Sequence, residues 1–164
     1  MFSETGEFLN TVVPRGVLGM CFGLATDGRG NMYTINTNRR DEKNCLTKKG
    51  STDILVISVE SGQIIEQIEL DDIIRDKRKS QCKFLCCDGR KLYISDLGLN
   101  QIYIMPLKRP GDTSPLRIST FGEPGQGIGQ FKDVAGIVAD SEGNIAVVDA
   151  CNNRIQVFNT RSGK

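Results

Sequence analysis

Residues 136–149 read GIVADSEGNIAVVD: a short apolar stretch, a polar turn, and a second apolar stretch that ends in a carboxylate. The same plan appears twice more, as GLATDGRGNMYTIN at 23–36 and FLCCDGRKLYISD at 84–96. Each is a predicted β-hairpin. The turns Asp27-Gly28, Asp88-Gly89 and Ser141-Glu142-Gly143 supply the positive-φ residues that a tight hairpin requires. A third strand follows each hairpin, at 53–58 (DILVIS), 101–105 (QIYIM) and 154–158 (RIQVF), and fourth strands read at 63–68 (QIIEQI) and 116–121 (LRISTF).

Four antiparallel strands per unit, repeated at intervals of about 50 to 60 residues, is the pattern of β-propeller blades. A sandwich or Greek-key barrel also shows many short strands, so periodicity alone leaves those architectures open. The residues from Phe121 onward carry more information. FGEPGQGIGQF at 121–131, followed by GIVAD, GNIAVVD and NNRIQVF, resembles an NHL repeat almost position by position. The chain is similar to the NHL repeats of tripartite-motif proteins, including their muscle-associated, Thin-like branch. That resemblance implies an all-β fold, an NHL-type β-propeller with about three blades present of a six-bladed ring. It also marks Asp149, Asn152 and Arg154 as the structural motif: a carboxylate ending one strand, an amide in the turn and a cation opening the next strand, tied by hydrogen bonds. In the second unit Leu99 and Gln101 stand where Asn and Arg would be, and in the first an insertion at 39–51 interrupts the motif.

Laid along the chain, the units are an outer strand of a preceding blade within 1–12, a blade at 19–68, a blade at 82–121, and the inner three strands of a blade at 133–158. Three blades do not close a ring, because propellers need at least about four. Two completions follow: further blades from a longer parent chain, or a second copy in a homodimer.

Composition narrows the chemistry. With 164 residues, 25% charged and 38% hydrophobic, the chain is long enough for one domain with a buried core. It has no His, which removes the commonest general base, metal ligand and partner of a Ser or Cys nucleophile. A lyase or lactonase of the kind some propellers host is disfavoured on that ground and for want of clustered carboxylates. No apolar run approaches the roughly 18 residues of a membrane helix, and MFSETGEFLN lacks the features of a signal peptide. A cytoplasmic location is the expectation, with reduced thiols.

Six cysteines include Cys82, Cys86 and Cys87, but adjacent cysteines on a strand point to opposite faces and a zinc site needs a fourth ligand. They read as packed apolar side chains, with no metal and no cofactor expected. The glycines of 122–129 lack a P-loop Lys and precede a strand, so they read as a connection between blades.

The formal net charge is +1, so any anion-binding case rests on local clusters. The loop after the second strand of the first unit carries Arg39, Arg40, Lys43, Lys48 and Lys49 with two acidic residues. The connection into the second unit carries Arg75, Lys77, Arg78, Lys79 and Lys83 with one. In a propeller both emerge on one face, forming a partner- or RNA-binding rim. Residues 69–79 also read as a short amphipathic helix with Leu70, Ile73 and Ile74 on one face, whose charges would then only complement the helix dipole. Trp is absent, and Tyr33, Tyr93 and Tyr103 all fall in predicted strands, so stacking platforms for RNA are lacking. The leading functional reading is a noncatalytic protein-recognition module, the substrate-binding NHL region of a tripartite-motif E3 ubiquitin ligase whose RING lies elsewhere. The alternative is an RNA-binding NHL propeller acting in translational repression.

Overall fold

The computed structural model describes residues 6, 11–14, 17–37, 51–70, 73–74, 76, 79–109 and 111–160. Among them the first sheet comprises β1 (Met20–Thr26), β2 (Asn31–Thr37), β3 (Thr52–Ser58) and β4 (Ile64–Glu69). The second comprises β5 (Cys82–Cys87), β6 (Lys91–Asp96), β7 (Gln101–Pro106) and β8 (Ser119–Phe121). A two-residue parallel ladder joins β9 (Glu123–Pro124) to β10 (Gln130–Phe131). The third sheet comprises β11 (Val134–Ala139), β12 (Asn144–Asp149) and β13 (Arg154–Asn159), with a 3-10 turn at Ala150–Asn152.

The hairpins form for a local reason. An aspartate opens each turn and its Oδ1 accepts two backbone N–H groups beyond it, bending the chain back. Asp27 takes Arg29 and Asn31 at 2.8 and 3.2 Å, and Asp88 takes Arg90 and Lys91 at 2.8 and 2.7 Å. Asp140 takes Glu142 and Asn144 at 2.9 and 2.8 Å. The Oδ2 atoms of Asp27 and Asp88 accept the hydroxyls of Tyr33 and Tyr93, so each tyrosine buries its ring and satisfies its O–H within the blade.

All three sheets run in chain order with antiparallel neighbours, and their first strands lie together, β1 against β5 and β5 against β11. Each first strand carries a register irregularity at the same place, between Phe22 and Ala25, Cys82 and Phe84, and Val134 and Ile137. Such bulges add local twist to a strand. Sheets of this order, stacked face to face with their first strands innermost, are blades of a β-propeller: two of four strands and one of three.

Two cores fill the spaces between sheets. Tyr33, Ile35, Ile54 and Val56 of the first sheet meet Leu85, Leu92, Ile94, Tyr103 and Met105 of the second. On the second sheet's other face, Tyr93 and Ile102 meet Ile137, Ile145, Val147 and Phe131. Phe131 sits edge-on to both Phe121 and Phe158, at centroid distances of 6.3 and 6.0 Å. Alternate residues of β6 and β7 thus enter different cores, which explains runs such as LYI and IYIM that alternate with no polar residue. Polar latches join neighbouring sheets at the hairpin end: Arg29 Nη2 donates to the Gly89 carbonyl at 2.8 Å, and Lys91 Nζ to that of Thr160 at 3.3 Å. Tyr93 Oη also lies 2.8 Å from Thr160 Oγ1.

Two features differ from the sequence expectation, and a third falls largely outside the described residues. The fourth strand of the second sheet spans only Ser119–Phe121, because Leu116 and Ile118 turn into the first core instead of extending the ladder, and Pro115 has no N–H to offer it. The described residues of 69–79 form two separate turns rather than one helix. The N–H groups of Ile73 and Ile74 reach the Leu70 carbonyl, and those of Lys79 and Ser80 reach Asp76. Leu70 and Ile74 are drawn into the core between the sheets, which is why their apolar spacing looked helical. Of the outer strand read within 1–12, residues 7–10 lie outside the described residues, and residues 11 and 12 are not in a strand.

Candidate recognition rim

At the end of the sheets opposite the hairpins, a residue at or next to the end of every second strand grips the chain as it enters the first strand. Asn36 Oδ1 accepts the N–H of Gly19, Asp96 Oδ1 that of Gln81, and Asp149 Oδ1 that of Lys132, each at 2.8 Å. In the second and third sheets this places the turn after the second strand beside the connection from the previous sheet. Gly98 shows how close they run: any Cβ there would strike the Lys79 carbonyl.

In the third sheet the motif residues Asp149, Asn152 and Arg154 are brought together. Asp149 is fully buried, and its Oδ2 accepts Arg154 Nε at 2.7 Å, Asn152 Nδ2 at 3.0 Å and Gln156 Nε2 at 3.2 Å. Asn153 takes a left-handed conformation, φ 52°, which closes the turn and aims Arg154 back at the carboxylate. Burial alone would raise the Asp149 carboxyl. The Lys132 N–H, the Asn152 amide and the Arg154 guanidinium outweigh it and hold the group below the usual carboxylate range.

The same donors reach the connection between sheets two and three. Arg154 Nη2 donates to the carbonyls of Gly127 and Gln130 at 2.6 and 3.0 Å, and Asn152 Nδ2 to that of Gly125 at 2.8 Å. Gln156 Nε2 donates to Gln130 O at 2.8 Å, and its Oε1 accepts the Gly129 N–H at 3.1 Å. Gln130 closes the loop, accepting the Gly127 N–H and donating to Glu123. The loop is a fixed platform, and at its tip Ile128 is 93% exposed. Gln130 and Gln156 were not singled out from the sequence; their place, two residues after the motif cation and at the loop's return, is the only signal they leave.

The second sheet builds the grip from other donors. Asp96 accepts Ser80 Oγ at 2.6 Å and the N–H groups of Gly98 and Leu99, while Gln101 turns away to Tyr103 Oη at 2.7 Å.

Of the ten basic residues expected on the rim, Arg39, Arg40, Lys43, Lys48, Lys49, Arg75, Lys77 and Arg78 lie outside the described residues. Lys79 lies 3.7 Å from Asp76, and Lys83 lies over the Phe22 ring at 5.9 Å from its centroid. Each already has a local partner.

The three clustered cysteines do not converge. Cys82 and Cys87 pack with the first core and Cys86 with the second. Burial, with Asp96 nearby, pushes the Cys82 thiol up to about 12; burial and the neighbouring Cys87 do the same to Cys86. Among the described residues no group of three His, Cys, Asp or Glu side chains is placed to hold a metal ion, and no helix is long and apolar enough to cross a membrane. The central carboxylate, Asp149, is saturated with donors and, with its carboxyl held low, has no proton to exchange near neutral pH.

No curated protein sequence matches the chain. Among solved structures, one chain of a nidogen/laminin complex aligns at 17% identity over 85% of this chain and 48% of its own, with a TM-score of 0.47. The Myxococcus xanthus glutaminyl cyclase aligns at 11% identity over 90% and 53%, also with a TM-score of 0.47. The chain spans about half the length of these structures. Residues 131–158, which run from Phe131 through the whole Asp149 motif to Phe158, are an NHL repeat.

Proposed function

We propose that this chain is a noncatalytic recognition module of the NHL propeller type, and that its rim captures a protein for a cytoplasmic tripartite-motif ubiquitin ligase. The observation that carries this reading is the platform at 122–130. Its backbone is held by Arg154, Asn152, Gln130 and Gln156, and it presents Ile128 to solvent. An apolar side chain on a loop already ordered loses little conformational freedom when a partner covers it, which is the economy of an interface anchor.

The test is capture from cell extract on the immobilised chain, with and without nuclease, followed by reconstitution with the purified captured protein. Direct binding that survives nuclease and falls at least about tenfold with Ile128→Asp supports the proposal, since that change forces a charge into a closing apolar contact. Binding that disappears with nuclease, and weakens on charge reversal at Arg39, Arg40, Lys48 and Lys49, replaces it with the RNA reading. The ligase context is tested separately, by whether the captured protein is ubiquitinated in the presence of the parent enzyme.

A further inference from the structure

Of the five prolines in the chain, Pro115 is the only one that follows a serine or threonine. It sits in the connection between β7 and β8, which is built differently from its counterpart in the first sheet. Residues 59–63 suffice to join β3 to β4, whereas residues 107–118 join β7 to β8. The added length is tethered near both ends. The Leu107 N–H reaches the Arg90 carbonyl at 2.8 Å, and Leu107, Leu116 and Ile118 pack against the first core. Between these anchors the chain stands out: Gly111, Asp112, Thr113, Ser114 and Pro115 are all exposed, and residues 112–118 lie in no helix or ladder.

A local turn orders the tip. Asp112 Oδ1 accepts the Ser114 hydroxyl at 2.6 Å and the Ser114 N–H at 2.9 Å. Those two donors, with Lys108 nearby, hold the Asp112 carboxyl below the usual carboxylate range. Beside them lies a cleft of about 280 Å³ whose lining includes Lys108, Asp112, Ser114 and Arg117. A serine hydroxyl is thus presented to solvent beside two cations, one from each end of the connection.

We propose that Ser114 is a phosphorylation site for a proline-directed serine/threonine kinase. Ser114-Pro115-Leu116-Arg117 supplies the acceptor hydroxyl, a proline directly after it and a cation three positions on. Proline lacks an N–H, so it suits an enzyme cleft that offers that backbone position no acceptor, where any other residue would bury an unpaired donor. It also biases Ser114 toward extended backbone, the form in which kinases thread their substrates. In the reaction Ser114 Oγ attacks the γ-phosphorus of ATP, the bond to the bridging oxygen breaks, ADP leaves, and the hydroxyl proton passes to the kinase's catalytic base. The resulting phosphate dianion cannot donate to Asp112. It repels that carboxylate and takes charge-assisted hydrogen bonds from Lys108 and Arg117, tying the start of the connection to its end. Glu66 and Glu69 of β4 line a second cleft that also borders Lys108, and are the facing charges from the first sheet. Modification of Ser114 is independent of what the rim recognises.

The test is incubation of the folded 164-residue chain with a purified proline-directed kinase and MgATP, the modified residue being located by mass spectrometry. Phosphate is expected on Ser114 alone. Pro115→Ala should lower the rate at least about tenfold, and Arg117→Ala less steeply. Both positions are exposed, so the circular dichroism of each variant should keep its strand signal. A synthetic peptide of residues 108–119 should be modified no more than about tenfold faster than the folded chain, since the tip needs no unfolding. Phosphorus NMR then reads the product: the second ionisation of the phosphate, at about pH 6 in free phosphoserine, should lie at higher pH in Lys108→Ala than in the wild type. An unmodified Ser114, a rate indifferent to Pro115→Ala, or a peptide that outpaces the folded chain by more than that margin would each overturn the proposal, and an unmoved ionisation would remove Lys108 as the phosphate's partner.

Discussion

The second and third sheets share strand order, hairpin chemistry and a carboxylate at the end of the second strand, but they live in different surroundings. The second is covered on both faces, and β6 and β7 accordingly read as nearly unbroken apolar runs. The third is covered on one, so Ile145 and Val147 of β12 are buried while Val148 is 38% exposed. The grips differ too: Asp149 is held by a guanidinium and two side-chain amides, Asp96 by hydroxyls and backbone N–H groups. A common plan thus tolerates exchange of the donors as long as the acceptor stays in place. What it does not tolerate is a clash where the chain runs close to itself, as at Gly122, whose φ of +92° and contact with the Phe131 ring exclude a side chain.

The largest effect should come from Phe131→Ala, which empties the aromatic cluster between the two sheets. It should cost about 3–5 kcal/mol, read as a loss of unfolding free energy in urea. Next is the direct contrast of equivalent positions. Ile102→Ala should cost about 2–5 kcal/mol and Ile155→Ala less than about 0.5 kcal/mol in the monomeric state, because only the first leaves a cavity. Equal losses would show that the third sheet's outer face is not bare. Smaller again is the difference between grips. Arg154→Ala should cost about 2 kcal/mol by removing hydrogen bonds to a charged group, whereas Gln101→Ala loses a neutral one at about 1 kcal/mol or less.

Acid should expose the same asymmetry. The Asp149 carboxyl titrates lower in the folded chain than in the unfolded one, where it is near 3.9. Its contribution is complete above that value and is lost as the pH falls through the folded value. Stability measured from pH 5 downward should therefore fall less steeply in Asp149→Asn than in the wild type. The smallest expected effect is a difference in labelling rates at pH 8. Exposed Cys21 should react with an alkylating reagent well before buried Cys82 and half-buried Cys86, whose thiols are pushed up to about 12.

The hairpins were legible because their determinants are contiguous: an aspartate, a glycine and flanking β-branched residues within about ten positions. The β9–β10 ladder was not, since two residues per strand carry no period, and it is held by Arg154 and Gln156 from a distant strand. The segment 69–79 misled for a related reason. Leu70 and Ile74 have helical spacing, yet it is the core between two sheets that fixes them, and a connection of single turns places them there just as well. At the site, Asp149, Asn152 and Arg154 stood out by type and spacing, whereas the replacement grip around Asp96 recruits Ser80 from another segment, which no local pattern announces.

The latches at the hairpin end bear on how many sectors such a wheel can hold. Arg29 on Gly89, and Lys91 with Tyr93 on Thr160, pin each sheet to the next at one end, while the grips of Asp96 and Asp149 hold the incoming connections at the opposite end. Held at both ends, neighbouring sheets cannot fan open or shut, and the angular step from one to the next becomes a property of the chain. Loosening a single latch would alter the pitch of the arc before it unfolded anything.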